Sequence, residues 1–161
     1  MFIKPDFDIN SIYDLDIYEL KRMGVNALLF DLDSTIMKSR SGKFAYKTLQ
    51  YLNDLKTNFK LAIVTNNSRE GYLQKVKAQT DIPIYHHAKK PAISKILKAC
   101  SDLNVDVKNT AIVGDRPLSD ILAGKRAGIV TILVDSISKD EENPIVRFVR
   151  FLERLVIKHQ D

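Results

Sequence analysis

Two carboxylates stand two residues apart in Phe30-Asp31-Leu32-Asp33-Ser34-Thr35, directly after the apolar run Val25–Phe30. If the backbone stays extended there, both side chains share one face. Like charges that close call for a cation or a raised pKa. A hard divalent ion with oxygen ligands resolves the repulsion; an acid pair that opens a surface loop and caps a helix is the plain alternative. A second apolar run, Leu61–Val64, ends in Thr65-Asn66-Asn67-Ser68. A hydroxyl and amides at a strand-to-helix turn, beside unpaired helix N–H groups, make a phosphate or oxyanion cradle. Asn67 or Ser68 would cap the helix that follows. Lys89-Lys90-Pro91 offers an ammonium that can neutralise phosphate oxygens and keep a carboxylate ionised, unless Lys90 is simply a solvated surface residue. Ala111-Ile112-Val113-Gly114-Asp115 closes on a Gly-Asp pair, and Asp120 follows five residues later near a helix start. Gly114 suits a tight turn, Asp115 can reach a metal, and Asp120 can anchor the turn or the lysine, or only complement the helix dipole. His86 and His87 point to opposite faces if their strand is extended, so they are read as non-catalytic.

Elements that bring these residues together are legible in the pattern. Five short apolar runs, Val25–Phe30, Leu61–Val64, Ile82–Tyr85, Thr110–Val113 and Ile129–Val134, alternate with helix-like segments. Aliphatic and β-branched runs of this length predict strands buried on both faces of a parallel sheet. Helices are expected over Lys43–Leu55, Arg69–Gln79, Pro91–Leu103 and Pro117–Ala127, with Pro91 and Pro117 in first turns and Gly128 as a C-terminal stop. The alternation predicts a doubly wound, three-layer α/β fold with a five-stranded parallel sheet. Ligands of such sheets bind at the carboxyl ends of the strands. Asp31, Thr65, Lys90 and Asp115 all fall at or just past those ends.

With FDLDST, VTNN, KKP and VGDRPLSD in this order, the chain resembles the haloacid dehalogenase (HAD) superfamily of phosphotransferases over about Val25 to Val134. The resemblance implies a Rossmann-like fold and an aspartyl-phosphate mechanism. By position, Asp31 is then the nucleophile and Asp33 the general acid and base. Mg²⁺ would be held by the carboxylates of Asp31 and Asp115 and the main-chain carbonyl of Asp33. Thr65, Asn66 and Lys90 would bind the phosphoryl group, with Asp120 in support. Only 31 residues separate Asp33 from Thr65 and 24 separate Thr65 from Lys90, which leaves no space for a large cap domain. The site should be open, overhung at most by the loop Met37–Gly42. Within the superfamily the layout looks like the YqeG-type, subfamily IIIA phosphatases, a group that includes phosphatidylglycerophosphate phosphatases. Ser34 departs from the asparagine usual in that group and Arg116 from its glutamine.

Bulk properties suit an ordinary globular chain. It has 161 residues, 45% hydrophobic and 28% charged, and is read as one domain: a leader over 1–24, a catalytic core over 25–134 and a terminal helix over 144–158. No apolar run approaches the roughly 20 residues of a membrane span. The lone Cys100 cannot form an internal disulfide, so an intracellular, reducing compartment is the default, cytoplasmic or peripheral at a membrane; a removed import peptide would leave no trace. The net charge of +5 favours anionic partners. Near the end, Arg147, Arg150, Arg154 and Lys158 recur at helical spacing on one side, and Phe148, Phe151, Leu152 and Leu155 on another. An interfacial helix on an anionic membrane has this pattern; so does a terminal helix packed on the sheet with a solvated basic face, the reading preferred here. A lipid phosphate monoesterase leads the functional readings, ahead of a soluble phosphatase for sugar phosphates or nucleotides. A non-catalytic RNA- or ribosome-binding module is third, because no basic aromatic strand motif is present and such a module has no use for this set of acids.

Overall fold

In the computed structural model, residues 3–138 and 144–156 are described, apart from the side chains of Val146, Arg147 and Arg150. The strands are β1 (Phe7–Ile9), β2 (Ala27–Phe30), β3 (Lys60–Val64), β4 (Ile84–Tyr85), β5 (Thr110–Gly114) and β6 (Val130–Val134). The helices are α1 (Ile17–Arg22), α2 (Tyr46–Leu55), α3 (Glu70–Lys77), α4 (Ser94–Asp102), α5 (Leu122–Ala127) and α6 (Pro144–Leu155). All strand pairs are parallel, in the order β1-β6-β5-β2-β3-β4.

The sheet has six strands rather than the five expected. The extra one, β1, comes from the leader and pairs with β6, Phe7 beside Ile132 and Ile9 beside Val134. Three residues are too short to show a period. What holds them is polar: Asp6 donates its N–H to the Thr131 carbonyl and accepts from the Thr131 N–H and hydroxyl on its carboxylate. Downstream, Ser11 caps the 3₁₀ turn Ile12–Asp14 and Asp16 caps α1, placing Ile12, Leu15 and Leu20 in the core.

Strand β2 is fully buried because both faces of the sheet are covered. Leu28 and Phe30 face a core built with Ile12, Leu20, Leu52 and Val76, whereas Leu29 faces the opposite core with Ile96, Cys100, Ile112 and Ala123. Alternation along one strand thus serves two apolar layers. No additional element stands among the described residues between β2 and β3 beyond α2, nor between β3 and β4 beyond α3, so there is no large cap.

Two local expectations need correction. Helix α4 begins at Ser94, and Pro91 lies ahead of it in a loop, its peptide bond to Lys90 cis. The segment expected as one helix from Pro117 is a five-residue π-helical turn, Pro117–Ile121, followed by α5. Such widened turns recur at functional sites. Gly128 ends α5 with φ of 78°, the left-handed stop its residue type allows.

Helix α6 reverses the packing preferred from sequence. Its polar side faces the body of the protein: Glu153 is buried and pairs with Arg116 at 3.3 Å, and Arg154 reaches Asp135 and the Val134 carbonyl at 3.1 Å. Phe148, Phe151, Leu152 and Leu155 are exposed instead. Of the basic positions read there, only Arg154 is among the described side chains; Arg147, Arg150 and Lys158 lie outside them. No helix among the described residues is long and apolar enough to cross a membrane.

Candidate active site

Strand register determines what meets at the rim. Phe30 pairs with Ile63 on one side and Val113 on the other. Asp31 is therefore one residue past the register line, and Thr65 and Asp115 are each two past it. The chain then turns sharply: the Leu32 carbonyl accepts from the N–H groups of Thr35, Ile36 and Met37, and Ser34 takes φ of 69°. The turn sets in at Asp33 and Ser34, and the two carboxylates of the pair take different partners.

Asp31 goes to a buried charge cluster. Lys90 Nζ donates to Asp31 Oδ1 at 2.9 Å and to Asp120 Oδ1 at 2.6 Å, with the lysine and Asp120 side chains each 1% exposed. Asp120 Oδ2 accepts the Arg116 N–H at 3.1 Å, so this residue anchors both the lysine and the π-helical turn. Gly114 makes room for it. A Cβ on Gly114 would sit 2.3 Å from the Asp120 carboxylate, so the glycine serves space rather than the tight turn expected of it. Burial alone would push the Lys90 ammonium down, but Asp120 and Asp31 outweigh it and hold the group above its ordinary range. Burial, then the Asp31 charge, pushes the Asp120 carboxyl up to about 6 against the pull of Lys90.

Carboxylate oxygens of Asp31, Asp115 and Asp120 lie within 4.8 Å of one another. Among the described residues the Lys90 ammonium is bonded to two of these acids, and carboxylates this close in a low-dielectric setting favour a cation among them. Thr35 Oγ1 lies 3.2 Å from Asp31 Oδ2 and 3.0 Å from Asp115 Oδ1. A single hydroxyl proton serves only one of them at a time. A set of carboxylate oxygens this close together fits a hard divalent cation such as Mg²⁺.

Asp33 goes to a neighbouring cleft of about 320 Å³, lined by Asp33, Ser39, Arg40, Asn67, Arg69 and Tyr72 among others. Asn67 Nδ2 donates to Asp33 Oδ2 at 3.2 Å and Tyr72 Oη to Asp33 Oδ1 at 2.5 Å. Burial, then the hydrogen bond to and charge of Asp33, raise the Tyr72 phenol well above its ordinary range, so it stays a donor. The two arginines give the cleft a positive wall.

Thr65 is buried and its Oγ1 accepts the Asn67 N–H at 3.0 Å, which leaves the hydroxyl proton to donate elsewhere. Asn66 braces Lys90: its Oδ1 accepts the Lys90 N–H at 2.7 Å and its Nδ2 donates to the Lys90 carbonyl at 3.2 Å. Neither Asn67 nor Ser68 caps α3, whose N-cap is Arg69; Asn67 Oδ1 instead accepts the Arg69 N–H. His86 and His87 follow β4 rather than lie on an extended strand, and their Nδ1 atoms are 3.2 Å apart. Their rings are neighbours, contrary to the opposite-face expectation, and neither is bonded to the acid cluster. Thr35, the bracing role of Asn67 and all of Tyr72 escape the sequence reading. Thr35 sits inside the Asp-rich motif and could have been found there; Tyr72, inside an amphipathic helix, carries no such signal.

A parallel sheet with these acids at its carboxyl rim has the HAD-like fold. The chain belongs to the mitochondrial PGP phosphatase family, which matches residues 1–138. It is 27% identical over 157 residues to the probable phosphatase YqeG of Bacillus subtilis, covering 97% of this chain and 90% of that one. It is 26% identical over 166 residues to phosphatidylglycerophosphate phosphatase 1, chloroplastic/mitochondrial, of Arabidopsis thaliana, covering 98% of this chain and 48% of that longer protein. The fold is also that of D,D-heptose 1.7-bisphosphate phosphatase from B. bronchiseptica, solved with magnesium and phosphate. That match has a TM-score of 0.58 at 17% identity and covers 70% of this chain and 82% of the other.

Proposed function

We propose that this phosphatase removes the terminal phosphate of phosphatidylglycerophosphate by way of an aspartyl-phosphate on Asp31. The observation that carries the mechanism is the Lys90 bridge, which aims the Asp31 carboxylate. In the first step an Asp31 oxygen attacks phosphorus in line and the bond from phosphorus to the ester oxygen breaks. Asp33 gives its proton to the departing oxygen. In the second step Asp33 takes a proton from water, whose oxygen attacks phosphorus and frees the Asp31 carboxylate. Tyr72 and Asn67 orient Asp33 through both steps. Thr65 and the third N–H of Lys90 are the donors for the phosphoryl oxygens, and Asn66 contributes by fixing the Lys90 main chain. The carboxylates of Asp31 and Asp115 and the main-chain carbonyl of Asp33 would hold Mg²⁺, which supplies charge compensation for two anions that must meet.

The lipid substrate is supported by the name of the Arabidopsis relative and by the uncapped cleft, which a bulky headgroup can enter. Phosphate release by the purified chain, with and without Mg²⁺, tests the reading across phosphatidylglycerophosphate vesicles, sugar phosphates and nucleotides, with Asp31→Asn as control. Turnover of the lipid, dependent on Mg²⁺ and absent in the variant, is expected. Good turnover of soluble phosphates with none of the lipid would overturn the substrate assignment.

A further inference from the structure

We infer that α6 is a membrane-docking helix whose exposed apolar face enters the headgroup region of an anionic bilayer. The inference deepens the lipid-substrate reading, and rests on it only for the choice of a bilayer as occupant. A terminal helix ordinarily buries its apolar stripe. Here Ile145, Phe148, Phe151 and Leu155 are 72%, 60%, 58% and 58% exposed, while Glu153 is 5% exposed. The inward side is tied down by polar contacts: the ion pairs Glu153 to Arg116 and Arg154 to Asp135, and the hydrogen bond from the Ile3 N–H to the Val156 carbonyl beyond the helix end. The helix cannot roll its phenylalanines inward without breaking these ties and exposing Glu153.

Two further observations select a lipid surface. The helix stands at the rim that carries the acids. Arg116 follows Asp115, α6 packs on the turn Pro117–Ile121 that holds Asp120, and Arg154 binds the carbonyl of Val134, the last residue of β6. Leu118, in that same turn, is also exposed. The charge is right as well. Beyond Glu153 and Arg154, which are both paired inward, the α6 sequence holds Arg147 and Arg150 and no other acid, and the chain carries +5 overall. An apolar stripe in a basic helix partitions into anionic interfaces, and an apolar patch of this kind on a monomer marks an interaction surface.

Sedimentation of the full chain with phosphatidylcholine vesicles, with and without phosphatidylglycerol, tests this directly. Neither lipid carries a phosphate monoester, so docking is read apart from turnover. Binding to the anionic vesicles is expected to fall about tenfold or more in Phe148→Glu/Phe151→Glu and by less in Phe148→Ala/Phe151→Ala. Hydrolysis of p-nitrophenyl phosphate should be unchanged in both. If no substrate is turned over but vesicle binding behaves as described, docking stands and the phosphatase chemistry falls. Wild-type protein that ignores anionic vesicles, or variants that bind them as well as wild type, would overturn the inference. So would a solution dimer that the glutamate pair splits, without vesicle binding; that result would give the face to a second copy of the chain.

Discussion

Asp33 is the residue on which both proposed proton transfers turn, and it is held by donors from α3 and from the loop that precedes it. Removing the Tyr72 hydroxyl leaves one Asp33 oxygen without its main donor and the Gly42 N–H without an acceptor. A hydrogen bond to a charged group contributes about 1.5–3 kcal/mol. Tyr72→Phe should therefore lower kcat/KM about tenfold or more with little change in melting temperature, measured by phosphate release and thermal unfolding. Lys90 is more exacting. Lys90→Met leaves Asp31 and Asp120 facing each other in a buried site, and losing one member of such an arrangement costs about 3–5 kcal/mol. Urea unfolding should show that loss, together with abolished turnover; unchanged stability would mean the acids find another counter-charge. The motif residues Asp31, Lys90, Asp115 and Asp120 were legible because each stands at a strand end or just beyond one. The bracing of Asp33 was not, since a tyrosine on an amphipathic helix reads as packing until the strand ends are placed in space.

At the scale of elements, apolar runs marked the four inner strands well, because burial on both faces requires unbroken hydrophobic sequence. Strand β1 was missed for the opposite reason. It lies at the sheet edge, is three residues long, and is secured by Asp6 rather than by a run of aliphatics. Burial tends to raise the Asp6 carboxyl, but the Thr131 N–H and hydroxyl and Lys125 outweigh it and hold the group below its usual value. A depressed folded pKa gives stability that is present above the unfolded value and lost as pH falls through the folded one. Asp6→Asn should thus be less stable than wild type near neutrality, by under about 1 kcal/mol because the site is partly solvated. The gap should close below about pH 4, as urea unfolding across pH will show. Gly114 acts at the junction of β5 and the π-helical turn. Gly114→Ala must displace Asp120 or bend the strand, an overpacking cost of about 1–3 kcal/mol, and should also reduce turnover.

Taken whole, the molecule gathers carboxylates at one rim of a basic chain, and an ion held there would make binding and folding interdependent. An ion that binds only the folded state stabilises it by mass action, about 1.4 kcal/mol at ten times its Kd. Mg²⁺ should raise the melting temperature of the wild type, and Asp115→Asn should abolish the shift. The general layout of this rim could be read from sequence through the rule that strand carboxyl ends meet. The orientation of α6 could not, because periodicity identifies two faces of a helix without saying which one the body of the protein takes.

The central claim is that the Asp31 carboxylate is the nucleophile. Acid quenching of the enzyme during turnover of phosphatidylglycerophosphate, followed by peptide mass spectrometry, tests it most directly. A peptide carrying one phosphoryl group on Asp31, present with Mg²⁺ and absent from Asp31→Asn, is the predicted result. Full turnover by Asp31→Asn, or a phosphoryl group trapped on another residue, would contradict it.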